Sequence, residues 1–115
     1  MKLQQIVAAL ELEVVSGANL DREIEGGYAS DLLSNVMAKA AGGQLWVTHQ
    51  GHQNIIAVAV LVELAGIIVV DGVKIDAETS EKAKAEGINL FTTPLPGFEV
   101  AGRLYALGLR GKQNV

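Results

Sequence analysis

The chain has 115 residues, no cysteine and a formal net charge of −4, with 50% hydrophobic and 19% charged residues. That length is enough for one domain with its own core, without disulfides or structural metals. An acidic balance with no block of Lys or Arg argues against nucleic-acid and anionic-membrane surfaces, which need clustered cations, and the lack of cysteine removes thiolate metal sites and Cys nucleophiles.

Leu3, Ile6, Val7 and Leu10 recur at helical spacing and predict a first amphipathic helix. The opening Met1 to Gln5 lacks a signal-peptide core, and the apolar run Ile55 to Val62 is too short to span a bilayer, so a cytoplasmic protein with no membrane partner is expected. Leu12 to Val15 reads as a strand stopped by Ser16-Gly17-Ala18-Asn19. Arg22 to Ile24 reads as a brief second strand, interrupted by Gly26-Gly27. Ser30 or Asp31 is placed to cap a helix whose buried stripe is Leu32, Leu33, Val36, Met37 and Ala40, ending at Gly42-Gly43.

Gln44 to Thr48 is the next strand, followed by the polar loop His49 to Asn54. Ile55 to Leu64 suits a strand by its β-branched residues and a buried helix by its length; it is read as a helix. Ile67 to Val70 is then a strand ending at Asp71-Gly72. Asp76 is an N-cap whose side chain can accept from Glu78 or Thr79, Glu78 and Lys82 are spaced to pair, and Gly87 is a left-handed C-cap. Ile88 to Thr92 is the last strand. Pro94 or Pro96 opens a final helix with the stripe Phe98, Ala101, Gly102 and Tyr105. A domain over 1–108 with a frayed tail over 109–115 follows. From Leu45 onward strand and helix alternate, which predicts an α/β fold: a small, mostly parallel sheet with flanking helices.

Ligands of open α/β sheets bind beyond the carboxyl ends of the strands. Here those ends are Thr48 to Asn54, Asp71-Gly72 and Thr92-Thr93-Pro94. The candidate ligand-binding residues are Thr48, His52, Asn54, Asp71 and Thr92, with Arg22, Gly26 and Gly27 nearby as an Arg beside a flexible Gly pair suited to phosphate or carboxylate. An Asp21–Arg22 pair that merely fixes a turn is the competing reading. His49 and His52 have H-x-x-H spacing, and Asp71 is a conceivable third ligand. A loop His more often holds a neighbouring loop or lines a polar pocket, so neither a metal nor a cofactor is assigned. Trp46 is read as core or interface. The chain carries no G-x-x-x-x-G-K-[ST] loop, no G-x-S-x-G elbow and no G-x-G-x-x-G after a strand. No catalytic set is assigned.

Several of these residues together resemble the DRTGG domain family. They are Asp21-Arg22 with Gly26-Gly27-Tyr28-Ala29-Ser30-Asp31-Leu32-Leu33, Trp46-Val47-Thr48 with His52 and Asn54, Ala57-Val58-Ala59, and the closing Phe98-Glu99 with Arg103-Leu104-Tyr105. The departure is Glu23-Ile24-Glu25, which separates Asp-Arg from Gly-Gly. The resemblance implies a fold like the amino-terminal domain of HPr kinase/phosphorylase, which lacks the kinase site. It implies a regulatory or ligand-sensing module: similar domains accompany phosphotransacetylases and sit between CBS domains in some pyrophosphatases. Stand-alone members look like accessory proteins, often encoded beside iron-only hydrogenases.

Three functions follow in order of preference. The first is a homo-oligomeric module binding a small anionic metabolite, with nucleotides among the candidates. The second is a protein–protein accessory factor to a partner enzyme, without a small ligand. The third is a small enzyme using His52 and Asp71. A homodimer is expected because the chain is too apolar to hide half its residues easily in so small a domain.

Overall fold

The computed structural model describes residues 1–111. Its elements are α1 (Leu3–Leu10), β1 (Glu13–Ser16), β2 (Gly26–Ala29), α2 (Leu33–Lys39), β3 (Gln44–Thr48), α3 (Asn54–Val62), β4 (Gly66–Val69), α4 (Ala77–Glu86), β5 (Leu90–Thr92) and α5 (Gly97–Ala106). Five strands form one sheet in the order β1-β5-β4-β3-β2. β2, β3, β4 and β5 run parallel, and β1 closes the far edge antiparallel to β5. The expected mostly parallel α/β sheet is therefore the observed one. No described helix is long and apolar enough to cross a membrane.

The sheet divides the core into two layers. Leu3, Ile6, Val100 and Leu104 of α1 and α5 pack on one face with Leu45, Ile68 and Phe91. Val36, Ile55, Ile56, Ala59 and Ala83 of α2, α3 and α4 pack on the other with Trp46, Ile67 and Leu90. β3 and β4 are buried along their whole length, which is why they read as unbroken apolar runs.

Several local expectations are corrected. Arg22 to Ile24 is not a strand; it contributes one bridge, Lys2 to Glu23. The strand lies instead on the two glycines, Gly26 and Gly27, paired with Gln44 and Leu45. A Cβ on Gly26 would lie 2.5 Å from the carbonyl oxygen of Arg110, whose oxygen also accepts the Gly27 N–H at 3.0 Å. Here glycine makes room for another backbone, not for a turn. The segment read as frayed thus begins with docked residues: Leu109 is buried and Arg110 lies along β2, while Lys112 to Val115 fall outside the described residues.

The expected stripe of α5 is its outer face. Phe98 is 92% exposed and Tyr105 61% exposed, and the buried residues are Val100 and Leu104. In α2 only Val36 is fully buried; Met37 and the N-cap residue Leu32 are exposed. Asp76 is the N-cap of α4 by position, but its side chain accepts no cap hydrogen bond, and no ion pair joins Glu78 to Lys82. Gly87 is the left-handed C-cap, with φ 70°.

Candidate functional site

The carboxyl ends of β2, β3 and β4 meet at one cluster. The loop after β2 carries Asp31, whose side chain does not cap α2. Its Oδ1 instead accepts the Thr48 hydroxyl at 3.0 Å and the His49 backbone N–H at 2.8 Å. The imidazole Nδ1 of His49 lies 3.1 Å from Asp31 Oδ2, and its Nε2 is hydrogen-bonded to Asp71 Oδ2. One imidazole therefore joins carboxylates from two neighbouring loops. Both ring nitrogens can donate at once only in the imidazolium form.

Local backbone geometry aims these groups. Asp71 and Gly72 both take left-handed conformations, at φ 61° and 66°, which turns the chain sharply at the end of β4. The Asp71 N–H donates to the Leu95 carbonyl at 2.8 Å and the Gly72 N–H to the Thr93 carbonyl at 3.0 Å, so the loop after β5 fixes the turn. Gln50 extends the network, its backbone N–H donating to Thr48 Oγ1 at 3.2 Å and its amide to the Asp31 carbonyl at 3.3 Å. Trp46, fully buried, donates its indole N–H to the Ser30 carbonyl at 2.8 Å and anchors the loop that bears Asp31. The first turn of α5 approaches from the side: a Cβ on Gly97 would lie 3.3 Å from His49 Cε1.

The hydrogen bond to Asp71 raises the pKa of His49 above the ordinary imidazole value, against partial burial and with help from the charge and hydrogen bond of Asp31. Burial opposes ionisation of Asp31, but the His49 backbone N–H, the Thr48 hydroxyl and the His49 charge outweigh it and lower its pKa. With His49 protonated, the three side chains carry one net negative charge. They are roughly half exposed, at 49% for Asp31, 45% for His49 and 42% for Asp71. Solvent therefore screens the pair energies.

The linkage gives a pH prediction. The contribution of His49 is complete below the unfolded imidazole value of about 6.5 and disappears as pH rises through its raised folded value. The contribution of Asp31 is complete above about pH 3.9 and disappears as pH falls through its lowered folded value. Thermal stability should therefore be highest, as far as this cluster is concerned, between about pH 4 and 6.5, and decline on the alkaline side. Melting temperatures from pH 4 to 9 check this. His49→Gln should flatten the alkaline decline, and an identical decline in that variant would contradict the assignment.

The sequence-derived candidates separate into two groups. Thr48 and Asp71 belong to the cluster. His52 lies in the same loop and caps α3, its Nδ1 accepting the Asn54 N–H at 3.1 Å, and both residues are exposed. Thr92, half-buried, closes β5 at the same edge, paired with Val69 and Glu13. Arg22, Gly26 and Gly27 are not brought there. Gly26 pairs with Gln44 at the opening of β3, and the Arg22 guanidinium donates to the Glu63 carbonyl at 3.0 Å, beyond the carboxyl end of α3. Both positions lie at the opposite edge of the sheet. Among the described residues no three His, Cys, Asp or Glu side chains form a metal-binding group.

Of the two residues the site depends on most, the sequence offers Asp31 as a helix cap and as part of the family resemblance, and His49 as half of an H-x-x-H pair or as a loop His that holds a neighbouring loop, which is the role His49 takes. The signal that identifies them is positional. Once Gly26–Ala29 is a strand, Asp31 follows β2 as His49 follows β3 and Asp71 follows β4.

No protein-family model matches the sequence, and no curated protein matches it. The fold is similar to a crystal structure of the CBS and DRTGG domains of the regulatory region of Clostridium perfringens pyrophosphatase, complexed with its activator diadenosine tetraphosphate. The TM-score is 0.69 at 19% sequence identity, over 95% of this chain and 47% of that one. This chain thus spans about half the length of that regulatory region, and the likeness is one of fold.

Proposed function

We propose that this chain is a non-catalytic regulatory domain of the DRTGG type that works as a homodimer and senses a small anionic metabolite, in particular a nucleotide. The observation that carries this reading is the joining of three strand-end loops through the half-exposed Asp31–His49–Asp71 cluster. A ligand that competes for these carboxylates changes the tie between loops, which is what a sensor requires. The residues also sort by chemistry. Asp31 and Asp71 offer acceptors for the amino group of a base, and Phe98, which follows the glycine packed on His49, offers an exposed ring. The net negative cluster disfavours phosphate, which is better received beside His52 and Lys74. Those two loops touch where a Gly51 Cβ would lie 2.3 Å from the Lys74 carbonyl oxygen. That a domain pair of similar fold carries a nucleotide activator supports the ligand class.

A thermal-shift panel of mononucleotides, dinucleoside polyphosphates and acyl phosphates tests the reading. A ligand at about 100 times its Kd stabilises by roughly 2.7 kcal/mol, which moves the Tm of a domain this size by about 10 °C. The expected result is a shift with at least one nucleotide. A panel without a shift overturns ligand sensing and favours the accessory-factor reading, which the exposed ring of Phe98 also suits as a protein anchor.

A further inference from the structure

Helix α3 packs between α2 and α4 on one face of the sheet. Its nine residues, Asn54–Val62, include no charged side chain. Ile55, Ile56, Val58 and Ala59 face the core, whereas Ala57, Val60 and Leu61 face outward, with Val60 44% and Leu61 69% exposed. A helix that is apolar all round is normally covered on both sides. Helices α4 and α5 differ: α4 presents Glu78, Glu81, Lys84 and Glu86 to solvent, and α5 pairs Arg103 with Glu99.

Beside α3 lies a groove of about 320 Å³, lined by Ala57, Val60 and Leu61 and rimmed by Lys82 and Glu86 of α4. These two rim residues carry opposite charges one helical turn apart. Neither has an ion-pair partner among the described residues. An opposite pair on one helix edge is self-complementary. If a second copy docks about a two-fold axis perpendicular to α4 at the level of Lys84, each Lys82 faces the partner's Glu86, and the two α3 helices cross antiparallel over Leu61.

We infer that the outer face of α3, with Lys82 and Glu86 as its rim, is the two-fold interface between two copies of this chain. Isologous pairs use the same patch on both subunits, which this charge pattern permits. A stable pair needs roughly 1,000 Å² in total, or about 500 Å² from each copy, a small share of the 6030 Å² surface of one chain. Met37 on the neighbouring helix α2 is exposed as well. The inference takes only the homodimer from the proposed function and names its surface. It stands or falls separately from ligand sensing, because assembly and binding are read by different measurements.

Sedimentation equilibrium of the full chain at micromolar concentration tests it, with far-UV circular dichroism to verify folding. The wild type should sediment as a dimer, and Leu61→Glu as a folded monomer. Lys82→Glu should weaken the dimer at least tenfold by placing like charges together. The double change Lys82→Glu with Glu86→Lys should restore it, since the pair is exchanged but remains complementary. A monomeric wild type across the concentration range overturns the inference, as does a dimer indifferent to Leu61→Glu. A double swap no better than the single reversal refutes the two-fold register.

Discussion

Trp46→Ala should destabilise the domain by about 3–5 kcal/mol, the usual cost of emptying a fully buried Trp site. The indole has no exposed surface and packs among Val36, Ile56 and Ile67 in the layer beneath α2 and α3. The loss is a large part of the roughly 5–15 kcal/mol that holds a typical domain together. Urea unfolding followed by far-UV circular dichroism measures it, because the variant has lost the chain's single Trp as a fluorophore. Trp46→Phe separates packing from hydrogen bonding. It keeps most of the volume but leaves the Ser30 carbonyl without the indole N–H, at a cost of about 1–3 kcal/mol. It should also loosen the loop that carries Asp31. A cost below 1 kcal/mol for Trp46→Ala would mean that this side chain is not the packing anchor described here.

The central strands were legible because burial on both faces leaves an unmistakable apolar run, as in Leu45-Trp46-Val47 and Ile67-Ile68-Val69. The helices between them were legible from length and from the need for a crossover between parallel strands. β2 was not. Gly26 and Gly27 have poor strand propensity, and what makes them suitable is the backbone of Arg110, which arrives from more than eighty residues away. Without β2, the sequence groups Arg22 and the glycines with the strand-end loops. The same misplacement made Asp31 look like a helix cap. In α5 the positions Phe98, Ala101 and Tyr105 and the positions Val100 and Leu104 fit a helical stripe equally well. Docking against α1 and β3 decides between them, and periodicity carries no such information.

The second large effect concerns binding. Asp31 accepts from the Thr48 hydroxyl and the His49 N–H and ties to the imidazole, so Asp31→Ala removes both the proposed ligand acceptor and the tie that orients His49. Loss of a hydrogen bond to a charged group costs about 1.5–3 kcal/mol, or a roughly tenfold to hundredfold weaker Kd. Arg22, at the opposite edge of the sheet, serves as the control. The direct measurement is a calorimetric titration of the nucleotide that stabilises the protein best into the wild type, Asp31→Ala and Arg22→Ala, each verified as folded. A tenfold or greater loss in Asp31→Ala with Arg22→Ala near wild type is the result expected of a sensor at the Asp31–His49–Asp71 edge. Unchanged affinity in Asp31→Ala, or a loss confined to Arg22→Ala, would place the ligand elsewhere and contradict it.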